Sequence, residues 1–161
     1  MTYGSGSFYG EEWIDTVTLG SGLVIKDQSI GVASSATGFT GADGILGIGP
    51  VGLTANTVSN TATVPTVSDN LLSQGTISEE VLGIYYVPAA ESSSTGEITF
   101  GGVDDSITTG SVNYVSFTTT SPASNYWGIN QSISYGGTTI LSETAGIVDT
   151  GTTLILIATG K

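Results

Sequence analysis

One short run gathers most of what this chain offers for acid–base chemistry: Ala145-Gly146-Ile147-Val148-Asp149-Thr150-Gly151-Thr152-Thr153-Leu154. An apolar stretch with strand character delivers a carboxylate, Asp149, into a Thr-Gly-Thr turn, after which apolar residues resume. Gly151 lets another group approach, and backbone N–H and threonine hydroxyl donors in the turn can hold the ionised carboxylate. The plainer reading of the same run is an Asp-initiated β-turn between two strands.

The rest of the composition narrows the chemistry. The 161 residues contain no His and no Cys, which removes Ser-His and Cys-His relays, thiol nucleophiles and zinc sites of the ordinary kind. Carboxylates, tyrosines, Lys26, Lys161 and backbone remain, so any hydrolysis here is expected to be carboxylate chemistry, with no metal and no cofactor. The pairs Glu11-Glu12, Glu79-Glu80 and Asp104-Asp105 read as solvated surface, because adjacent carboxylates on a strand point to opposite faces. Gly47-Ile48-Gly49-Pro50-Val51-Gly52 has the glycine spacing of a dinucleotide-binding turn, with Asp69 at about the distance of a ribose contact. It is followed by Leu53-Thr54-Ala55-Asn56-Thr57, a loop composition, and no βαβ alternation surrounds it, so the structural reading is taken. Asn130-Gln131-Ser132 is a formal glycosylation sequon inside an expected strand.

Charge excludes whole classes of partner. Two Lys plus Arg stand against 14 Asp plus Glu, giving a net charge of -12 and a pI near 4.1. Nucleic acids and anionic membranes are held by dense positive charge, which this chain lacks. No segment has the length and apolarity of a membrane span. Charged residues make up 10% and apolar residues 39%. With 21 Ser, 25 Thr and 24 Gly, that is the make-up of short strands joined by tight turns, suited to an extracellular, acidic medium. The opening Met1-Thr2-Tyr3-Gly4 has neither the basic nor the apolar region of a signal peptide.

The elements that must position Asp149 follow from the patterning. Residues 8–32 read as a hairpin turning at Gly20-Ser21-Gly22, residues 34–41 as a small-residue loop, and Asp43–Pro50 as a short buried strand. A loop runs to about Val64. A helix is expected from Pro65, with Val67, Leu71 and Leu72 on one face and Gly75 as its C-terminal cap, and a second short turn capped by Ser78. Strands are expected at Leu82–Val87, Glu97–Gly101, 111–118, 126–135, 138–141 and 146–149, with Glu91–Gly96 an exposed turn. The class is all-β with one or two short helices.

Taken in order, further motifs resemble one family. Tyr3-Gly4-Ser5-Gly6-Ser7 looks like the tip of a flap, Asp15-Thr16-Val17 like the strand after it, and Asp43-Gly44-Ile45-Leu46-Gly47 like an apolar-Gly segment behind a catalytic loop. Asp69-Asn70-Leu71 looks like a lobe helix, Gly101-Gly102-Val103-Asp104 like the exit from a first lobe, and Tyr126-Trp127-Gly128-Ile129 like the approach to an active-site strand. Val148-Asp149-Thr150-Gly151-Thr152-Thr153 looks like a second catalytic loop. Together they resemble the pepsin-like aspartic endopeptidases, and within them the secreted fungal, polyporopepsin-type branch.

The resemblance implies a pepsin-like bilobal fold, incomplete here: residues 1–105 carry the flap and the remainder of the N-terminal lobe, and 106–161 begin the C-terminal lobe. Aspartic proteases are the type example of two carboxylates about 3 Å apart that share a proton, one acting as base on water and the other as acid toward the peptide carbonyl. By that likeness Asp149 is the second carboxylate, with Thr152 and Gly151 steadying it and binding substrate backbone. Tyr3 closes over the cleft, and Gly4 and Ser5 hydrogen-bond an extended peptide. Ile45, and beside it Phe39, line the pocket at the scissile bond, with core packing as their alternative role. Polypeptide substrates, pepstatin-type inhibitors, secretion and a monomeric full-length enzyme are implied likewise. The chain holds a single Asp-Thr-Gly, so a partner loop is expected upstream of Met1 and the 161 residues alone are expected to be inactive. A retroviral-type dimer is not expected to rescue activity, because those chains run from catalytic loop to flap. The alternatives are a non-catalytic pepsin-fold protein that binds or inhibits other proteins, and a secreted structural β-protein.

Overall fold

The computed structural model describes residues 1–88, 90–91 and 95–158. They fall into two compact units, Met1–Val112 and Asn113–Lys161.

The first unit is built on an antiparallel hairpin, β1 (Ser7–Gly20) and β2 (Leu23–Thr37), with Trp13 opposite Ile30 and Val17 opposite Ile25. The turn falls at Ser21-Gly22, where the sequence places it. Residues 34–37 do not form the expected loop: they stay in β2, Ser35, Ala36 and Thr37 pairing with Tyr9, Phe8 and Ser7. A partner strand offering ladder bonds outweighs the weak strand preference of Ser and Ala. The opposite happens at Asp43–Pro50, which forms no strand and leaves Ile45 and Leu46 nearly half exposed. Its apolar residues suit a strand, but it joins none of the sheets among the described residues, so it forms no ladder.

Helix α1 (Val67–Ser73) starts two residues later than expected. Thr66 caps it: the Asp69 N–H donates to Thr66 Oγ1, and the Thr66 N–H donates to Asp69 Oδ2 at 2.7 Å, a reciprocal capping box. Pro65 therefore lies before the cap, and its carbonyl accepts from Gln28 Nε2. Gly75, at φ +72°, ends the helix as expected, and the Thr76 and Ile77 N–H groups return to the Leu71 carbonyl. The turn expected at Ser78 is a bend and not a helix. Val67 and Leu71 pack with Ile25 and Ile77 as the core, ringed by Val17, Leu19, Leu23, Ile48 and Phe100, while Leu72 faces outward.

Two amides tie α1 to β2. Buried Gln28 accepts from Asn70 Nδ2 at 2.9 Å and donates to the Ser29 and Pro65 carbonyls. Gln74 takes both backbone groups of Lys26, accepting from its N–H at 3.0 Å and donating to its carbonyl at 2.8 Å, as a neighbouring strand would. The short pair β3 (Leu82–Tyr85) and β4 (Glu97–Phe100) completes the unit. Of the turn expected between them, residues 92–94 lie outside the described residues.

The second unit is a hairpin of β5 (Gly128–Tyr135) and β6 (Thr138–Ile147), turned at Gly136-Gly137. The two strands expected at 138–141 and 146–149 are one strand, ending at Ile147. The strand expected at 111–118 is reduced to a single bridge, Phe117 to Ile129, with the Thr118 hydroxyl donating to Asn130 Oδ1 at 2.7 Å. The Phe117 and Trp127 rings meet at 5.5 Å, and Ala123 is the unit's buried apolar residue among those described. No helix among the described residues is long and apolar enough to cross a membrane.

Candidate active site

Asp149 sits two residues past the end of β6, carried out of the ladder by one last bond in which the Val148 N–H donates to the Trp127 carbonyl at 2.9 Å. Both oxygens of its exposed carboxylate have donors. The Gly151 N–H donates to Oδ1 at 2.9 Å and the Thr152 hydroxyl to Oδ2 at 2.5 Å. The first bond is the Asx-turn that the plainer reading anticipates. The second goes beyond it and pins the other oxygen, so the carboxyl plane is fixed. A carboxylate has about four lone-pair positions, so two donors leave it able to accept a proton or a water. A Cβ on Gly151 would come 3.3 Å from Oδ1, so even a methyl group crowds the carboxylate.

The other site residues expected from sequence lie in the first unit. Tyr3 opens a tight turn: its N–H donates to the Gly6 carbonyl at 2.7 Å, Thr2 and Ser7 form a bridge beneath it, and Gly4 and Ser5 are exposed at the tip. Gly38, at φ +82°, packs under that tip so closely that a Cβ there would come 2.0 Å from the Ser5 carbonyl oxygen. Only glycine accepts both the backbone angle and the approach. Tyr3 is half-buried, its ring stacked on Phe8 at 6.3 Å and meeting Phe39 edge-on at 5.6 Å. Burial raises the Tyr3 hydroxyl above its ordinary pKa.

Tyr3, Phe8, Gly31, Phe39 and Ile45 line one cleft of about 440 Å³ in this unit. The structure thus brings Tyr3, Ile45 and Phe39 together, while Gly4 and Ser5 stand outside the lining. Ile45 is 48% exposed and is not part of the first unit's buried core cluster. Several of the other acidic residues have local partners. Glu12 accepts from the Ser29 hydroxyl at 2.6 Å, and Asp104 caps the 3-10 turn Asp105–Ile107. Bonds from Ser106 hold Asp104 below the usual aspartate range. No group of three or more carboxylates among the described residues is placed to hold a metal. The glycine run at 47–52 leads only into the 3-10 turn Val51–Thr54, which has no acidic first turn and no long axis behind it.

Comparison with known proteins decides the family. The family model for eukaryotic aspartyl proteases matches residues 1–161, the whole chain. The chain belongs to the eukaryotic aspartyl protease family. It is 62% identical to polyporopepsin of Irpex lacteus across 98% of its length, and 40% identical to rhizopuspepsin-1 of Rhizopus niveus, also across 98%. The crystal structure of the aspartic proteinase from Irpex lacteus superposes with a TM-score of 0.92 at 61% identity, over 98% of this chain and 47% of that one. The expected all-β, pepsin-like fold is therefore the one observed. The chain spans 47% of polyporopepsin and 39% of rhizopuspepsin-1, less than half the length of either.

Two residues that support the Tyr3 turn escape a reading by motif. Phe8 looks like one more strand residue, and its place under Tyr3 becomes visible only once β1 and β2 are in register. Gly38 sits in a stretch rich in small residues, where no single glycine stands out.

Proposed function

We propose that this chain is part of an aspartic endopeptidase that hydrolyses internal peptide bonds in acid, with Asp149 as one of its two catalytic carboxylates. The observation that carries the reading is the doubly anchored, exposed Asp149 carboxylate at the end of β6, in a chain that belongs to the aspartyl protease family. One carboxylate cannot be both base toward water and acid toward the peptide carbonyl. The second comes from an Asp-Thr-Gly encoded upstream of Met1, and the two share one proton in the working state. Gly151 and Thr152 orient Asp149 and meet substrate backbone. Tyr3 closes over an extended peptide to which Gly4 and Ser5 hydrogen-bond, and Ile45, beside Phe39, meets an apolar side chain at the scissile bond.

On this reading residues 1–105 belong to the N-terminal lobe and 106–161 to the C-terminal lobe, and the full-length enzyme is a secreted monomer inhibited by pepstatin. Its many carboxylates suit an acidic medium, where protonation relieves their mutual repulsion. The test is an acid protease assay on the full-length protein with and without pepstatin, beside the isolated 161-residue chain. Pepstatin-sensitive cleavage by the former and none by the latter is expected. A full-length protein with no such activity is a non-catalytic relative, and the reading fails.

A further inference from the structure

We infer that Phe8 is a positioning residue for Tyr3, setting the direction in which the flap ring points over the cleft. This rests on the reading of Tyr3 as the residue that closes on substrate. The turn itself fixes only the backbone: the Tyr3 N–H to Gly6 carbonyl bond and the Thr2 to Ser7 bridge locate the Tyr3 Cα but leave its side-chain torsions free. Those torsions are set by rings. Phe8 lies nearly parallel to Tyr3, with 26° between planes, and Phe39 meets it at 85°, so one ring supports its face and another its flank.

Phe8 is the fixed member of the trio. It sits inside β1, paired with Ala36, whereas Phe39 lies in the loop beyond β2. It is also confined from below, since a Cβ on Gly31 would stand 3.2 Å from Phe8 Cε2, a space that glycine keeps open for the ring. Phe8 lines the same cleft as Tyr3, so shrinking it opens room into which the Tyr3 ring can fall. The half-buried state of Tyr3 depends on that support, which agrees with its raised hydroxyl pKa.

The experiment is a double-mutant cycle in the full-length protease, with kcat and KM measured on a peptide substrate for Phe8→Leu and Phe8→Tyr, each with Tyr3 intact and with Tyr3→Ala. Phe8→Leu, which keeps bulk but not the flat face, is expected to lower kcat/KM by about 2- to 10-fold, the size of one aromatic pair. Phe8→Tyr keeps the face and is expected to retain activity. With Tyr3→Ala, Phe8→Leu is expected to cost nothing further. NMR titration of the Tyr3 hydroxyl in Phe8→Leu is expected to show ionisation moving down toward the ordinary tyrosine range. A Tyr3→Ala variant that loses activity, beside a Phe8→Leu loss that is equal in both backgrounds or absent, overturns the positioning role and leaves the reading of Tyr3 standing. A Tyr3→Ala variant with unchanged kcat/KM overturns both.

Discussion

The Tyr3 turn in the first unit and the Asp149 loop in the second are held by different physics. Around Tyr3, position comes from packing: three rings, a glycine at φ +82° under the tip, and a hairpin braced by α1 through Gln28 and Gln74. Around Asp149, position comes from two short polar bonds on an exposed loop, with little buried apolar surface near it. Packing tolerates small shifts and fails when volume changes. Directed bonds tolerate volume changes poorly only at Gly151, and otherwise fail when a donor is lost. The difference suits the proposed roles, since a closing residue must settle against varied substrates whereas a carboxylate that shares a proton needs fixed oxygens.

The contrast can be broken from either side, and the expected effects fall in order. Leu71→Ala removes a fully buried core side chain from the first unit and is expected to cost about 3 kcal/mol, read as a lower urea midpoint. The exposed apolar residues flanking Asp149, such as Val148, are expected to tolerate the same truncation. Thr152→Val removes the hydroxyl donor on Oδ2 while keeping shape, and is expected to lower kcat/KM of the intact enzyme by about 10- to 100-fold, with Thr152→Ser recovering most of it. Gly38→Ala adds a methyl group where φ is positive and the Ser5 carbonyl already occupies the space. About 1–3 kcal/mol is expected, seen as faster amide exchange at residues 2–8 while the Asp149 loop is unaffected.

The smallest effects are on pH dependence. Burial, and then the neighbouring Asp69 carboxylate, push Glu80 above the ordinary glutamate range, against a Ser68 hydroxyl that pulls the other way. A folded-state pKa above the unfolded one means the folded form binds the extra proton. Stability is therefore expected to fall as pH rises from the ordinary glutamate value through the raised one. Asp104 runs the other way, its stabilisation expected to be lost as pH drops through its lowered value. Urea midpoints across pH 2 to 7, for the parent and for Glu80→Gln, separate the two: the substitution flattens the first slope and leaves the second.

How much of this was legible in sequence follows from what each feature depends on. Gly75 and the Asp149 turn act within a few residues, and both lie where the letters place them. The first hairpin is visible because alternation and a Gly turn are local too. What failed depended on distant partners. Residues 34–37 became strand because residues 7–9 faced them, and Asp43–Pro50 stayed irregular because it pairs with no strand among the described residues. The helix start moved from Pro65 to Val67 because the Thr66–Asp69 exchange, readable as a capping box three residues apart, outweighed proline's preference for the first turn. Phe8 and Gly38 were invisible because their roles exist only across the β1–β2 register.

The central claim is that Asp149 is a working carboxylate and not merely the start of a turn. Asparagine keeps an oxygen to accept from the Gly151 N–H and can donate its amide N–H to the Thr152 hydroxyl oxygen in place of the bond to Oδ2, so the turn is retained, but it cannot share or transfer the proton. Asp149→Asn in the full-length protein, assayed for pepstatin-sensitive cleavage in acid, is expected to lose roughly 10⁴-fold in kcat while the urea midpoint stays near that of the parent. Cleavage retained at the parent rate would contradict the account.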